Sequence, residues 1–295
     1  MIAHLNELLD RLKDLAPKRA AIVWAGDEEI IEMAADAAER GLIYPILIGD
    51  ESEIRRLLPE MLACEIIPAS TPEEAAKLGV ALIRERKADL LMKGLLDTSV
   101  ILKQVVNSES GIKASPVLSH VAAIDYPNYD RILLITDAAM NITPTAKQKI
   151  DIVKNAVSVA HKLGYERPKV GLVSAVEKVN PKMQSTLDAR AVVEAHLDGR
   201  ITGCIVDGPF AIDNLVSAHS AERKKISSPV AGKADILVFN AIESGNVFYK
   251  TSVFLGGATP AGMVVGAQCP IVLTSRADEP ISKIYSIALA VACSE

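Results

Sequence analysis

Short runs of branched apolar residues alternate along this chain with segments of helical spacing, and that alternation constrains the fold more than any other feature. AIVWA (Ala21–Ala25), PILIG, CEII and DLLMKG read as buried strands. Between them stand helix signals. Leu5, Leu8, Leu9, Leu12 and Leu15 recur on one helical face. Asp27 is placed to cap a helix over 28–40, which Gly41 stops. A short helix follows from Glu51, and another spans 71–86, with Thr71 and Glu74 as a capping box and Pro72 at its first position. Strands and helices joined by short connections predict an α/β architecture, a parallel sheet with helices on both faces.

The rhythm breaks between about Gly111 and Tyr129, around Pro116 and Pro127, so a change of domain is expected near Ile124. RILLIT (Arg131–Thr136) opens a second run and ends in Asp137, Asn141 and Pro144 before a helix over 145–163. KVGLVSA, GCIVDG, ADILVF, GMVVGA and IVLTSR are five further expected strands, and an alanine-rich helix over 281–292 closes the chain.

Composition narrows the function classes. At 295 residues and 49% hydrophobic, with mean hydropathy +0.24, the chain can bury a large core, part of it between subunits. A net charge of -5 with mixed signs leaves no basic stripe for nucleic acid. No apolar run approaches the roughly 20 residues that cross a bilayer, and MIAHLNELLDRLK reads as an amphipathic helix, so a membrane is not expected. Cys64, Cys204, Cys269 and Cys293 lie far apart, as core residues in a reducing cytoplasm would.

Familiar catalytic signatures are absent: there is no GxGxxG, GxSxG or HExxH, and AGKAD around Lys233 is not a P-loop. The histidines are too scattered for a local metal cluster. What remains is a set of expected strand ends bearing small, hydroxyl and cationic groups. They are Lys93 and Gly94 with Thr98 and Ser99, Ser119 with His120, Asp137, Asp207 with Gly208, Gly232 with Lys233, Gly245 and Asn246 with Lys250, and Ser275 with Arg276. Each alone has a plainer role as a cap, a turn residue or a surface charge. Together they fit the rule that ligands of open α/β sheets bind outside the carboxyl ends of the strands, and they suit a phosphate-bearing small molecule.

The segments SPVAGKADILVFNAIESGNVFYK, VVGAQCPIVLTSRADE, DGPFAIDN and YDRILLITDAAMNITPTAKQK resemble the phosphate acetyltransferase and butyryltransferase family, from about Ala21 to the end. DGPFAIDN, GNVFYK and TSRAD look like the butyryl branch. The resemblance implies an enzyme that moves a short-chain acyl group between CoA and inorganic phosphate. No permanently bound cofactor or metal is expected, and a homodimer or larger homo-oligomer is. It further implies two α/β domains similar to isocitrate and isopropylmalate dehydrogenases, with the active site in the interdomain cleft. Residues 1–123 with 270–295 would form the first domain and 124–269 the second. Ser275 and Arg276 would be catalytic. Lys93, Thr98, Lys103, Ser119, His120, Lys233, Asn246 and Lys250 would bind substrate, Lys103 in place of an arginine of the acetyl branch. That branch's general-base aspartate is replaced by Ser282, with Asp278 and Glu279 nearby. Phe210 and Ile212 are candidate acyl-pocket walls, or simple core. The competing readings are a phosphate acetyltransferase, a metal- and NAD-dependent decarboxylating dehydrogenase on the same fold, for which Asp207 and Asp213 are the acidic candidates, and a non-catalytic binder that kept the fold.

Overall fold

The computed structural model describes residues 2–274 and 278–294. In chain order it runs α1 (Leu5–Leu12), β1 (Lys18–Val23), α2 (Glu28–Glu39), β2 (Ile43–Gly49), α3 (Glu51–Leu57), β3 (Glu65–Pro68), α4 (Pro72–Arg84), β4 (Leu90–Lys93) and α5 (Thr98–Val105). Then come β5 (Ser119–Asp125), β6 (Leu133–Thr136), α6 (Ala146–Lys162), β7 (Lys169–Val173), α7 (Gln184–Leu197), β8 (Ile205–Phe210), α8 (Ile212–Val216), α9 (Ala218–Arg223), β9 (Ile236–Val238) and α10 (Ile242–Phe254). β10 (Thr259–Val265), β11 (Ile271–Val272) and α11 (Pro280–Cys293) complete it.

Local chemistry sets several helix starts. The Asp27 side chain accepts the Ile30 N–H, and Glu28 and Glu29 in the first turn complement the helix dipole. Thr145 and Gln148 form a full capping box on α6. At α4 the Thr71 hydroxyl accepts the Glu74 N–H, but the Glu74 carboxylate bonds the Ser70 N–H and not that of Thr71, so the expected box is only half made.

The chain packs as two units, one comprising residues 2–4 and 116–260, the other 5–115 with the described part of 261–294. The breaks therefore fall upstream of those expected at 123/124 and 269/270, the first of which would have cut β5. In the second unit the strand order is β3-β2-β1-β4-β11-β10, in the first β5-β6-β9-β7-β8. Neither sheet is fully parallel, which corrects the expectation. β10 runs antiparallel to β11, and β5 antiparallel to β6. In both cases the connection is shorter than the dozen residues a parallel crossover needs.

Branched and aliphatic side chains fill both cores. Ile22, Leu47, Ile48, Leu90, Leu91 and Met92 are buried in one unit, where α1 packs on α11. In the other, Ile124, Leu133, Ile135, Phe210, Leu215, Leu237 and Phe239 cluster. Here Gly171 is required by packing, because a Cβ would lie 2.4 Å from the Leu215 side chain.

Candidate active site

Residues at the carboxyl ends of β1, β4 and β11 line a cavity of about 290 Å³. Its walls are Asp27, Glu29, Ile30 and Met33 from α2 and its start, Lys93 to Leu95, Thr274, and Lys283 of α11. Gly94 admits no side chain, because a Cβ would stand 2.3 Å from the Trp24 carbonyl oxygen. β4 can thus turn against the end of β1, and Lys93 is held at the rim. Its Nζ donates to the carbonyls of Gly94 at 3.2 Å and Leu96 at 3.3 Å. Lys283 is only 5% exposed and its ammonium donates to the Glu29 carboxylate. Two cations and two carboxylates therefore face one small space, an arrangement that suits an ion and not an apolar guest. Ser275 and Arg276, which follow Thr274 directly, lie outside the described residues.

A second polar cluster stands at the carboxyl end of β6 and β9. Asp137 is buried, and its Oδ1 accepts the N–H groups of Ala139 and Met140, both at 2.9 Å. Asn141 donates to Asp137 Oδ2 at 2.6 Å and to the Leu118 carbonyl at 2.8 Å. With its oxygens so engaged, Asp137 shapes the loop after β6. Because β5 runs antiparallel, its first residues Ser119 and His120 reach this end too. The Thr136 hydroxyl donates to the His120 carbonyl at 2.8 Å, and the His120 ring meets Tyr249 edge-on at 6.3 Å. The Ser119 hydroxyl accepts from Asn155 Nδ2 at 2.9 Å. Asn246 donates to the Ala138 carbonyl at 3.2 Å, and Lys250 lies 5.4 Å from the Tyr249 ring.

The remaining expected residues fall elsewhere. Gly245, Asn246 and Lys250 sit on α10, where a strand-end turn was expected. Lys233 is exposed and precedes β9, at the sheet end opposite Asp137 and Asn246. Gly232 approaches Ala218 and not a ligand; its φ is +70° and a Cβ would lie 2.5 Å from the Ala218 Cα. Asp207 lies within β8 and accepts its neighbour's Gly208 N–H at 2.8 Å, and Asp213 faces Lys224 at 3.4 Å. Thr98, Ser99 and Lys103 are exposed on α5. Phe210 is core, and Ile212 lines a different cavity with Tyr126, Tyr129 and Phe248. Ser282 is buried, its carbonyl accepting the Ser286 hydroxyl. Burial pushes the Cys204 thiol up to about 11 and Cys269 up to about 12, which makes both poor nucleophiles. Asp27, Glu29 and Lys283 were not anticipated at the site. The signal for Lys283 was available: a lone lysine in the apolar helix PISKIYSIALAVAC.

The phosphate acetyl/butaryl transferase family model matches residues 64–291. The chain belongs to this family. A probable phosphate butyryltransferase of Bacillus subtilis (strain 168) is 45% identical over 293 residues, covering 99% of this chain and 98% of that protein. The crystal structure of a branched-chain phosphotransacylase from Enterococcus faecalis V583 superposes with a TM-score of 0.86 at 34% identity, covering 94% of this chain and 99% of that one. A putative 4-hydroxythreonine-4-phosphate dehydrogenase from Salmonella typhimurium shares the fold alone, at 13% identity and a TM-score of 0.63, with 94% and 100% of the two chains covered. The chain is therefore a member of the phosphate acyltransferase family on a fold shared with that dehydrogenase. Among the described residues, no helix is long and apolar enough to cross a membrane, and no group of three or more His, Cys, Asp or Glu could hold a metal ion.

Proposed function

We propose that this chain catalyses reversible transfer of a short-chain acyl group, butyryl first among them, between CoA and inorganic phosphate, giving acyl phosphate and free CoA. Family membership over most of the chain supports the reaction class. The observation that carries the site is the cavity with Lys93 and Lys283 in its wall, which Thr274 enters immediately before Ser275 and Arg276.

The roles follow from chemistry. A phosphate oxygen attacks the thioester carbonyl carbon, the C–S bond breaks, and the phosphate proton ends on the CoA sulfur. The Arg276 guanidinium suits two phosphate oxygens at once, and the Ser275 hydroxyl donates to the carbonyl oxygen as charge grows there. Lys93, in the cavity wall, adds positive charge. A CoA thiol, with a pKa of about 8.5, leaves readily as thiolate, whereas orienting two substrates can supply roughly 7–11 kcal/mol. Positioning and charge neutralisation thus outweigh a dedicated base.

The test is incubation with phosphate and acetyl-, propionyl- or butyryl-CoA, following free thiol. Wild-type protein releases CoA only when phosphate is present, and fastest with butyryl-CoA. Neighbouring chain lengths should differ modestly, because one methylene is worth only about 1–3 kcal/mol. Arg276→Ala abolishes the release and Cys269→Ala keeps it. Near-normal turnover by Arg276→Ala would refute the assignment.

A further inference from the structure

The cavity between β1, β4 and β11 carries more carboxylate than an anion site needs. A bound dianion is attracted by Lys93 and Lys283 and repelled by Asp27 and Glu29. Glu29 has a reason to be there: it neutralises the buried Lys283. Asp27 has none of that kind. Its Oδ1 accepts the Ile30 N–H at 3.3 Å, and among the described residues its other oxygen has no hydrogen-bond partner. That oxygen belongs to a residue of the cavity wall. The cap and the short Asp27 N–H to Ala25 carbonyl bond, at 2.8 Å, hold it there.

A carboxylate can only accept, so its complement is a ligand that brings its own proton. Hydrogen phosphate has one P–OH beside its charged oxygens, whereas sulfate at neutral pH has no proton to give. We propose that Asp27 accepts the hydrogen of bound hydrogen phosphate, so that the cavity takes a protonated oxyanion and rejects sulfate. Lys283 donates to the charged oxygens, and Lys93 adds positive charge from the cavity wall. One of the three N–H donors of Lys283 is committed to Glu29 and, among the described residues, the others are not. A site shaped for a donor discriminates strongly against an analogue without it, because its own polar group is left facing a lone pair. The inference rests on the reading that phosphate binds in this cavity.

The experiment compares sulfate inhibition with phosphate use in the acyl-transfer assay. For the wild type, sulfate competes poorly with phosphate. Asp27→Asn can donate where aspartate could not. It should strengthen sulfate inhibition about tenfold or more while raising the KM for phosphate and leaving that for acyl-CoA in place. Asparagine caps a helix about as well as aspartate, so the melting temperature should hold. Glu29→Gln removes equal charge and should tighten both anions alike, leaving their ratio unchanged. An unchanged sulfate-to-phosphate ratio in Asp27→Asn, or an equal shift in Glu29→Gln, overturns the proposal. If Asp27→Asn turns over too slowly, calorimetric titration with phosphate and with sulfate reads the same ratio. A wild type without phosphate-dependent CoA release would sink the functional reading instead. Titration of that wild type with the two anions would still decide the role of Asp27.

Discussion

Lys149, 2% exposed, donates to the Pro144 carbonyl and to Asp188 Oδ2, both at 2.6 Å, while Gln184 donates to Asp188 Oδ1 at 2.7 Å. The pair ties α6 to α7 and holds the far end of the loop that starts at Asp137. Removing one partner leaves the other charge buried, which costs about 3–5 kcal/mol. Lys149→Met should therefore lower the urea midpoint sharply. Adding Asp188→Leu to it should recover part of the loss, since the stranded carboxylate is gone. Side chains of this kind show how far single residues can be read from sequence. Lys93 was singled out because a small residue beside a cation is distinctive, and the structure places it in a cavity wall. Lys149 was not: within an amphipathic helix pattern a lysine reads as solvated, and only the fold supplies Asp188 as its partner. Asp27 was legible as a cap, but its place in the cavity wall follows only once β4 lies beside β1 and β11 beside β4.

At the scale of elements, α10 departs furthest from expectation. ADILVFNAIESGNVFYK reads as a strand followed by a turn, yet β9 keeps only Ile236–Val238 and a helix runs from Ile242 to Phe254. The reasons are physical. Ala241 at the cap makes no side-chain bond, a glycine sits inside the helix, and both apolar and polar residues point to all sides. The glycine is there for contact: a Cβ on Gly245 would lie 2.3 Å from the Asp137 carbonyl oxygen. Gly245→Ala should push α10 off the Asp137 loop, destabilise the protein by roughly 1–3 kcal/mol and cut acyl transfer more than stability alone explains. Thermal unfolding and turnover measured on the same preparation would separate the two. Elements with clean caps and steady periodicity, such as α2, α4 and α6, were placed within two residues of their ends.

For the whole molecule, alternation foretold an α/β fold but not the sense of β5 and β10, because strand direction depends on connection length and partner and not on apolar pattern. Nor could periodicity reveal that residues 2–4 pack with 116–260, where the Ile2 carbonyl accepts the Tyr165 hydroxyl at 3.4 Å and His4 bonds Asp125 at 2.9 Å. The contiguous stretch 116–260 holds β5 to α10 and the cluster around Ile135 and Phe239. A chain truncated after Pro260 should keep slowly exchanging amides in β6, β7 and β9 and lose them in β1, β2 and β4; equal loss in both sets would show that the units fold as one. The position of β11 between β4 and β10 explains the asymmetry. During synthesis the seat between β4 and β10 stays vacant until Ile271 and Val272 have left the ribosome. Until then β4 presents an unmatched edge, and these late residues close the sheet beside Thr274 and the cavity wall it joins.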